Sequence, residues 1–154
     1  MSRFNGVLAA ALIASAALAP APALALTRPE AAAIWVARSN AIMAVANDPT
    51  TTGDNILQRQ RAACSGLMGE RMKVGGYVPT WAAEGQASIC KALDGFSGSI
   101  TVKDPCGELK KAAGYLSKPK PFGDSAEVVP TAERLVAMIT VMRAGARESG
   151  YRRC

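Results

Sequence analysis

The sequence predicts a single all-α domain of about five helices, stapled by two disulfides and following a cleavable signal peptide. Three observations carry this. The chain opens on a short apolar run behind a positive end. After that run, apolar residues recur at helical spacing between readable caps and stops. All four cysteines fall in the helical part, and the 154 residues include no histidine.

Arg3 supplies the positive end and Val7 to Leu18 the apolar run, which is shorter than the ~20 residues that span a bilayer. Ala23-Leu24-Ala25 offers small side chains to a signal peptidase, so cleavage is expected after Ala25. An uncleaved anchor is the weaker alternative, and no cysteine near the cut supports a lipoprotein. Removing 25 of the 154 residues leaves 129, enough for one core. Only Arg3 among the charged side chains is lost, so the net charge falls from +6 to +5. The expected destination is the periplasm or the outside of the cell, with no stable membrane anchor after cleavage.

Thr27, Pro29 and Glu30 form the start of a first helix, with Thr27 and Glu30 spaced as a capping box. Ile34, the stem of Arg38, Ala41, Ile42 and Val45 follow on one stripe, and Asn47 to Pro49 stop it. A second helix runs from Asp54 to about Lys73, with Leu57, Cys64, Leu67 or Met68, and Met72 inward, and Gly75 and Gly76 end it. Ala62, Ala63, Gly66 and Gly69 keep this helix slim enough for close packing. Thr80 caps a third helix that carries Trp81, Ile89, Cys90 and Leu93. The segment "DGFSGSITVKDP" is the least helical, since Ile100 and Val102 alternate with polar residues.

Asp104-Pro105 opens a fourth helix in which Cys106, Leu109, Ala113 and Leu116 face inward and Lys110 and Lys111 outward. "SKPKPFGDS" is a rigid linker of prolines and lysines. Thr131 then caps a fifth helix with Leu135, Ile139, Met142 and Ala146 inward, and Gly150 ends it.

Export makes an oxidising compartment the default, where Cys64, Cys90, Cys106 and Cys154 form two disulfides. Zinc is the rival, but without histidine or a C-x-x-C pair the usual ligand spacing is missing, and no metal or other cofactor is expected. Four cysteines allow three pairings. A bridge from Cys154 pins a tail that would otherwise fray, and Cys106 is its expected partner because that closes the segment containing the basic linker and the last helix, leaving Cys64 with Cys90.

The missing histidine excludes Ser-His-Asp and Cys-His catalysis, so an enzyme would have to work with carboxylates, lysine or tyrosine. Glu70 is the best acid, lying among apolar neighbours that would raise its pKa if buried, yet Arg71 and Lys73 beside it favour a surface role. Glu84 and Glu108 read as first-turn residues that favour helix starts. Trp35, Trp81, Tyr77 and Tyr115 could line a sugar or peptide site, although aromatics at helical spacing usually fill cores. Met68 with Met72 and Met138 with Met142 sit four apart and read chiefly as core filling. Lys118, Lys120, Arg143, Arg147, Arg152 and Arg153 make the C-terminal third basic, either as a solvated face or as a surface for an acidic protein. No nucleic-acid recognition motif accompanies them, so nucleic acid is not an expected partner.

"YLSKP" (Tyr115 to Pro119), "PTAERLVAMI" (Pro130 to Ile139) and the closing Cys154 together resemble the C-terminal half of the Rap/Tai immunity proteins. Those are small exported helical proteins with disulfides that protect bacteria from the cell-wall amidase effectors of type VI secretion systems. The resemblance implies a periplasmic binding protein, dimeric in form, that blocks an enzyme. It implies no particular inhibitory residues. The expected function is therefore a non-enzymatic protein-binding domain, sharpest as an immunity or inhibitor protein. The alternatives are an accessory subunit of an envelope or secretion assembly, and a carboxylate-dependent cell-wall enzyme.

Overall fold

The computed structural model describes residues 26–46, 53–74 and 77–154, with the side chains of 46, 53, 54 and 66–74 excepted. The signal peptide expected over 1–25, the stop at Asn47 to Pro49 and the Gly75-Gly76 pair lie outside the described residues. Five helices follow one another: α1 (Arg28–Ala46), α2 (Gly53–Val74), α3 (Thr80–Phe96), α4 (Pro105–Leu116) and α5 (Val128–Glu148). Each packs chiefly on its chain neighbours, and α5 returns to α1, closing a ring around one core. No strand forms among the described residues, and Ser97 to Asp104 is a series of turns.

The capping box of α1 is present. Thr27 N–H donates to Glu30 Oε2 at 2.7 Å, and Glu30 N–H donates back to Thr27 Oγ1 at 3.4 Å. At α4, Asp104 Oδ1 accepts from Gly107 N–H at 2.9 Å with Pro105 behind it. At the end of α5, Gly150 adopts φ +96°, its N–H bonds to Arg147 O, and Tyr151 N–H bonds to Ala146 O.

Two expected caps are displaced. Pro79 precedes α3, its carbonyl receiving the N–H groups of Ala82 and Ala83, and Thr80 is already helical. At α5 the helix begins four residues early, at Val128 with Glu127 in the cap position, and Thr131 is fully buried, its hydroxyl accepting from Arg134 Nη2 at 2.9 Å. Arg134 also reaches Asn40 on α1, so this threonine serves a helix contact and not a cap.

The buried face of α1 is also rotated. Ala31, Ala32, Trp35, Ser39, Ile42 and Met43 are inside, whereas Ala41 is exposed and Ile34 and Val45 are half-buried. Trp35 sets this face because burying its ring removes more apolar area from water than Ile34 offers. On α3, α4 and α5 the stripes agree, except that Ala112 is fully buried on α4 and Ala113 only partly so. Leu67, Met68 and Met72 of the α2 stripe lie outside the described side chains. Cys64, Ile89, Cys90, Leu93, Leu109, Leu116, Leu135 and Ile139 form the core with Ile42, and each fully buried Leu or Ile contributes ~1.5–3 kcal/mol. α3 and α4 lie especially close at Gly85, where a Cβ would stand 2.6 Å from Leu116 Cγ.

Candidate functional site

α3 has 17 residues, so its two ends stand ~25 Å apart, and each end organises a different surface. At its amino end Trp35, Trp81 and Phe122 meet edge to face, with ring centroids 5.7 to 6.0 Å apart. Trp35 Nε1–H donates to Ala82 O at 2.9 Å. One turn further, Gln86 Nε2 donates to Trp35 O at 2.8 Å and to Ser39 Oγ, while the Ser39 hydroxyl donates to Trp35 O at 2.9 Å. All three groups are buried, and no fully buried side-chain polar atom among the described residues lacks a partner. A hollow of about 550 Å³ outside this cluster is lined by Arg28, Tyr77, Pro79, Pro121, Phe122 and Asp124.

The carboxyl end of α3 is fastened covalently. Cys64–Cys90 joins α2 to α3 with Cα atoms 5.6 Å apart, and Cys106–Cys154 joins α4 to the tail at 4.8 Å. This is the expected pairing, and both bridges link elements that pack side by side. Around the second bridge the tail is held three further ways. Tyr151 packs edge-on against Phe96 at 5.0 Å, Cys154 N–H bonds to Tyr151 O, and Arg143 donates through Nε and Nη2 to Cys154 O at 2.9 and 2.6 Å.

A groove of about 710 Å³ opens between α2, α3 and the start of α4. Cys64, Cys90 and Ala87 contribute its apolar lining. Arg61 and Asp94 form an ion pair at 2.7 Å between α2 and α3, and Lys91, Thr101, Lys103, Asp104 and Glu108 stand around them. Lys103 and Asp104 also line a smaller hollow of about 240 Å³, shared with Tyr151, Arg152 and Arg153. The turn from Thr101 to Asp104 is therefore a ridge between two depressions. Ile100, at the head of this turn, is 92% exposed.

The six basic residues singled out from sequence do not form one patch. Lys118 and Lys120 follow the end of α4, while Arg152 and Arg153 lie at its start, ~18 Å away over 12 residues of helix. Arg143 is held by the tail, and Arg147 leans back toward Arg143 O. What joins Arg152 and Arg153 is Lys103, a residue whose role shows only when the tail is folded against the α3–α4 turn.

Among the acids, the Glu70 side chain lies outside the described residues. Glu84 sits beyond the first turn of α3, correcting the expected placement, and is partnered. Glu108 does occupy the first turn of α4 and pairs with Lys111 at 2.6 Å, which raises the lysine pKa above 10.5. Thr27 holds the Glu30 carboxyl below its ordinary 4.5 through main-chain and hydroxyl bonds. Trp35 is 3% exposed and belongs to the core, Trp81 packs on its neighbours, and Tyr77 and Tyr115 are exposed. Met138 and Met142 pack against the core, while Met68 and Met72 lie outside the described side chains. No cluster of three or more His, Cys, Asp or Glu is placed to hold a metal ion, and no helix is long and apolar enough to cross a membrane, both among the described residues. The chain matches no family model, no curated protein and no solved structure.

Proposed function

We propose that this chain is a protein-binding domain of an oxidising, extracytoplasmic compartment, and in its sharpest form an immunity protein that blocks a cell-wall amidase effector. One observation carries the reading. The end of the bundle that is cross-linked is also the end that leaves charged side chains unsatisfied around an open groove, an arrangement suited to a rigid docking face. The disulfides fit an exported protein, since such bonds persist where thiols are not kept reduced. The immunity role rests on the resemblance of Tyr115 to Pro119, Pro130 to Ile139 and Cys154 to the Rap/Tai proteins.

The test begins with the genes beside its own, where a small amidase effector is expected; that amidase and the oxidised chain are then mixed in a peptidoglycan digestion. Formation of a stable complex and suppression of fragment release are expected. Release of fragments by the chain alone would make it an enzyme, with Glu70→Gln as the variant to locate the acid. An amidase that runs unhindered in an excess of the chain would end the immunity reading.

A further inference from the structure

The acids around the 710 Å³ groove are engaged from within the chain. Asp94 pairs with Arg61, Glu108 pairs with Lys111, and Asp104 accepts from Gly107 N–H at the start of α4. Arg61 apart, the cations of the groove and of the adjoining hollow are different. Lys91, Lys103, Arg152 and Arg153 are all exposed, and the charged head of none of them has a partner among the described residues. Asp104, whose charge also acts on Lys111, lines both depressions together with these four cations. Like charges held together on a rigid surface repel one another, and an anion relieves that cost on binding.

We infer that this face receives an extended acidic segment of a partner protein. Its carboxylates meet Lys91, Lys103, Arg152 and Arg153, and an apolar side chain enters the groove over Ala87 and the Cys64–Cys90 bridge. The inference rests on the protein-binding reading above and names the surface and the partner's chemistry. The groove falls within the ~300–1,000 Å³ that hold a drug-sized group, which suits one or two side chains of an extended chain. The mixed lining selects a peptide over a polyphosphate. Cys64, Ala87, Cys90 and Val102 in the wall give an apolar side chain a place that a row of phosphates, in a nucleic acid or on a lipid surface, cannot use, and the wall carboxylates offer acceptors to peptide N–H groups. Tyr151 is already packed against Phe96, so it is not a free stacking platform for bases. Ile100 extends the apolar contact beyond the groove.

The probe is a fluorescent peptide of alternating aspartate, glutamate and leucine, titrated with the oxidised full-length mature chain and followed by anisotropy. Binding that weakens with added salt is expected, with amide shifts in the wild-type protein over 99–104 and 151–154. The triple variant Lys103→Glu, Arg152→Glu, Arg153→Glu should bind at least about tenfold more weakly, since three favourable charge contacts become repulsive. Lys118→Glu with Lys120→Glu should leave binding unchanged. The inference is overturned if the peptide does not bind, if the Lys118/Lys120 variant loses as much affinity as the triple variant, or if vesicles of anionic lipid bind and the peptide does not. The digestion assay separates the two proposals. If the wild type and the triple variant inhibit the amidase equally, this face is wrong and the protein-binding reading stands. If the wild type binds the peptide as described while the amidase runs free, the face stands and the amidase reading falls.

Discussion

At the amino end of α3, Trp35, Trp81 and Phe122 meet edge to face and Gln86 ties α1 to α3 through buried hydrogen bonds. At its carboxyl end, Cys64–Cys90 and Cys106–Cys154 do the fastening. The two devices place different demands on their surroundings. Rings and buried polar networks stabilise only while water is kept out, so the aromatic end must stay sealed. A disulfide acts largely by restricting the unfolded chain, so its end of the bundle needs no apolar seal. That freedom lets the clasp end carry an open groove, an exposed Ile100 and unpaired cations without giving up its shape.

The contrast can be broken most severely at the tail. Replacing both Cys106 and Cys154 by serine opens a loop of 48 residues and should cost ~4 kcal/mol by loop-closure entropy. Urea unfolding of the variant under oxidising conditions measures it. A loss below ~1 kcal/mol would mean that the Arg143 and Tyr151 contacts hold the tail unaided. At the other end, Phe122→Ala removes a ring from the aromatic cluster. A loss of ~3 kcal/mol is expected in the same experiment, at the low end for phenylalanine because the ring is half-buried. Its binding to the acidic peptide should be unaltered, since Phe122 lies near the opposite end of α3 from the groove.

Gln86→Leu probes the polar half of the sealed end. It removes two hydrogen bonds, to Trp35 O and Ser39 Oγ, and should cost ~1–3 kcal/mol. Adding Ser39→Ala should cost little more, because the two share one network, and a double-mutant cycle reads that coupling. The smallest effect is expected at Glu30→Gln. The folded carboxyl titrates below 4.5, so its contribution is present above that pH and is lost as pH falls through the lowered value. Melting curves of the two proteins should therefore differ at neutral pH and converge in acid. Curves that stay equally far apart in acid would show that the capping box does not depend on the charge.

Helix number and most boundaries were legible because they depend on local signals. Thr27, Asp104 and Gly150 act within one turn of themselves, whereas the Cys106–Cys154 bridge joins residues 48 apart and was one of three pairings the sequence allowed. Thr80 and Thr131 misled because a threonine before an apolar run reads the same whether it caps a helix or is buried inside one. Thr131 is buried with its hydroxyl satisfied by Arg134, which also reaches α1. The face of α1 was misread for a related reason. Ser39 looks like a solvent residue until Gln86, 47 positions away, supplies its partner.

The candidate site was the least legible part. Arg152 and Arg153 could be flagged by charge, but Lys118 and Lys120 carry the same signal and stand at the far end of α4. Lys103 and Lys91 give no sign of membership, and Phe122 gives none of closing the aromatic end. By itself, the amino-acid order determined that this chain is helical and where its turns fall, because periodicity, caps and glycines act over a few residues. It also determined that oxidation would lock the chain, because the cysteines are even in number and no histidine offers them a metal-binding alternative. Only the tertiary structure decided which charges find partners and which do not. That outcome depends on side chains brought together across dozens of residues by the closing of the bundle.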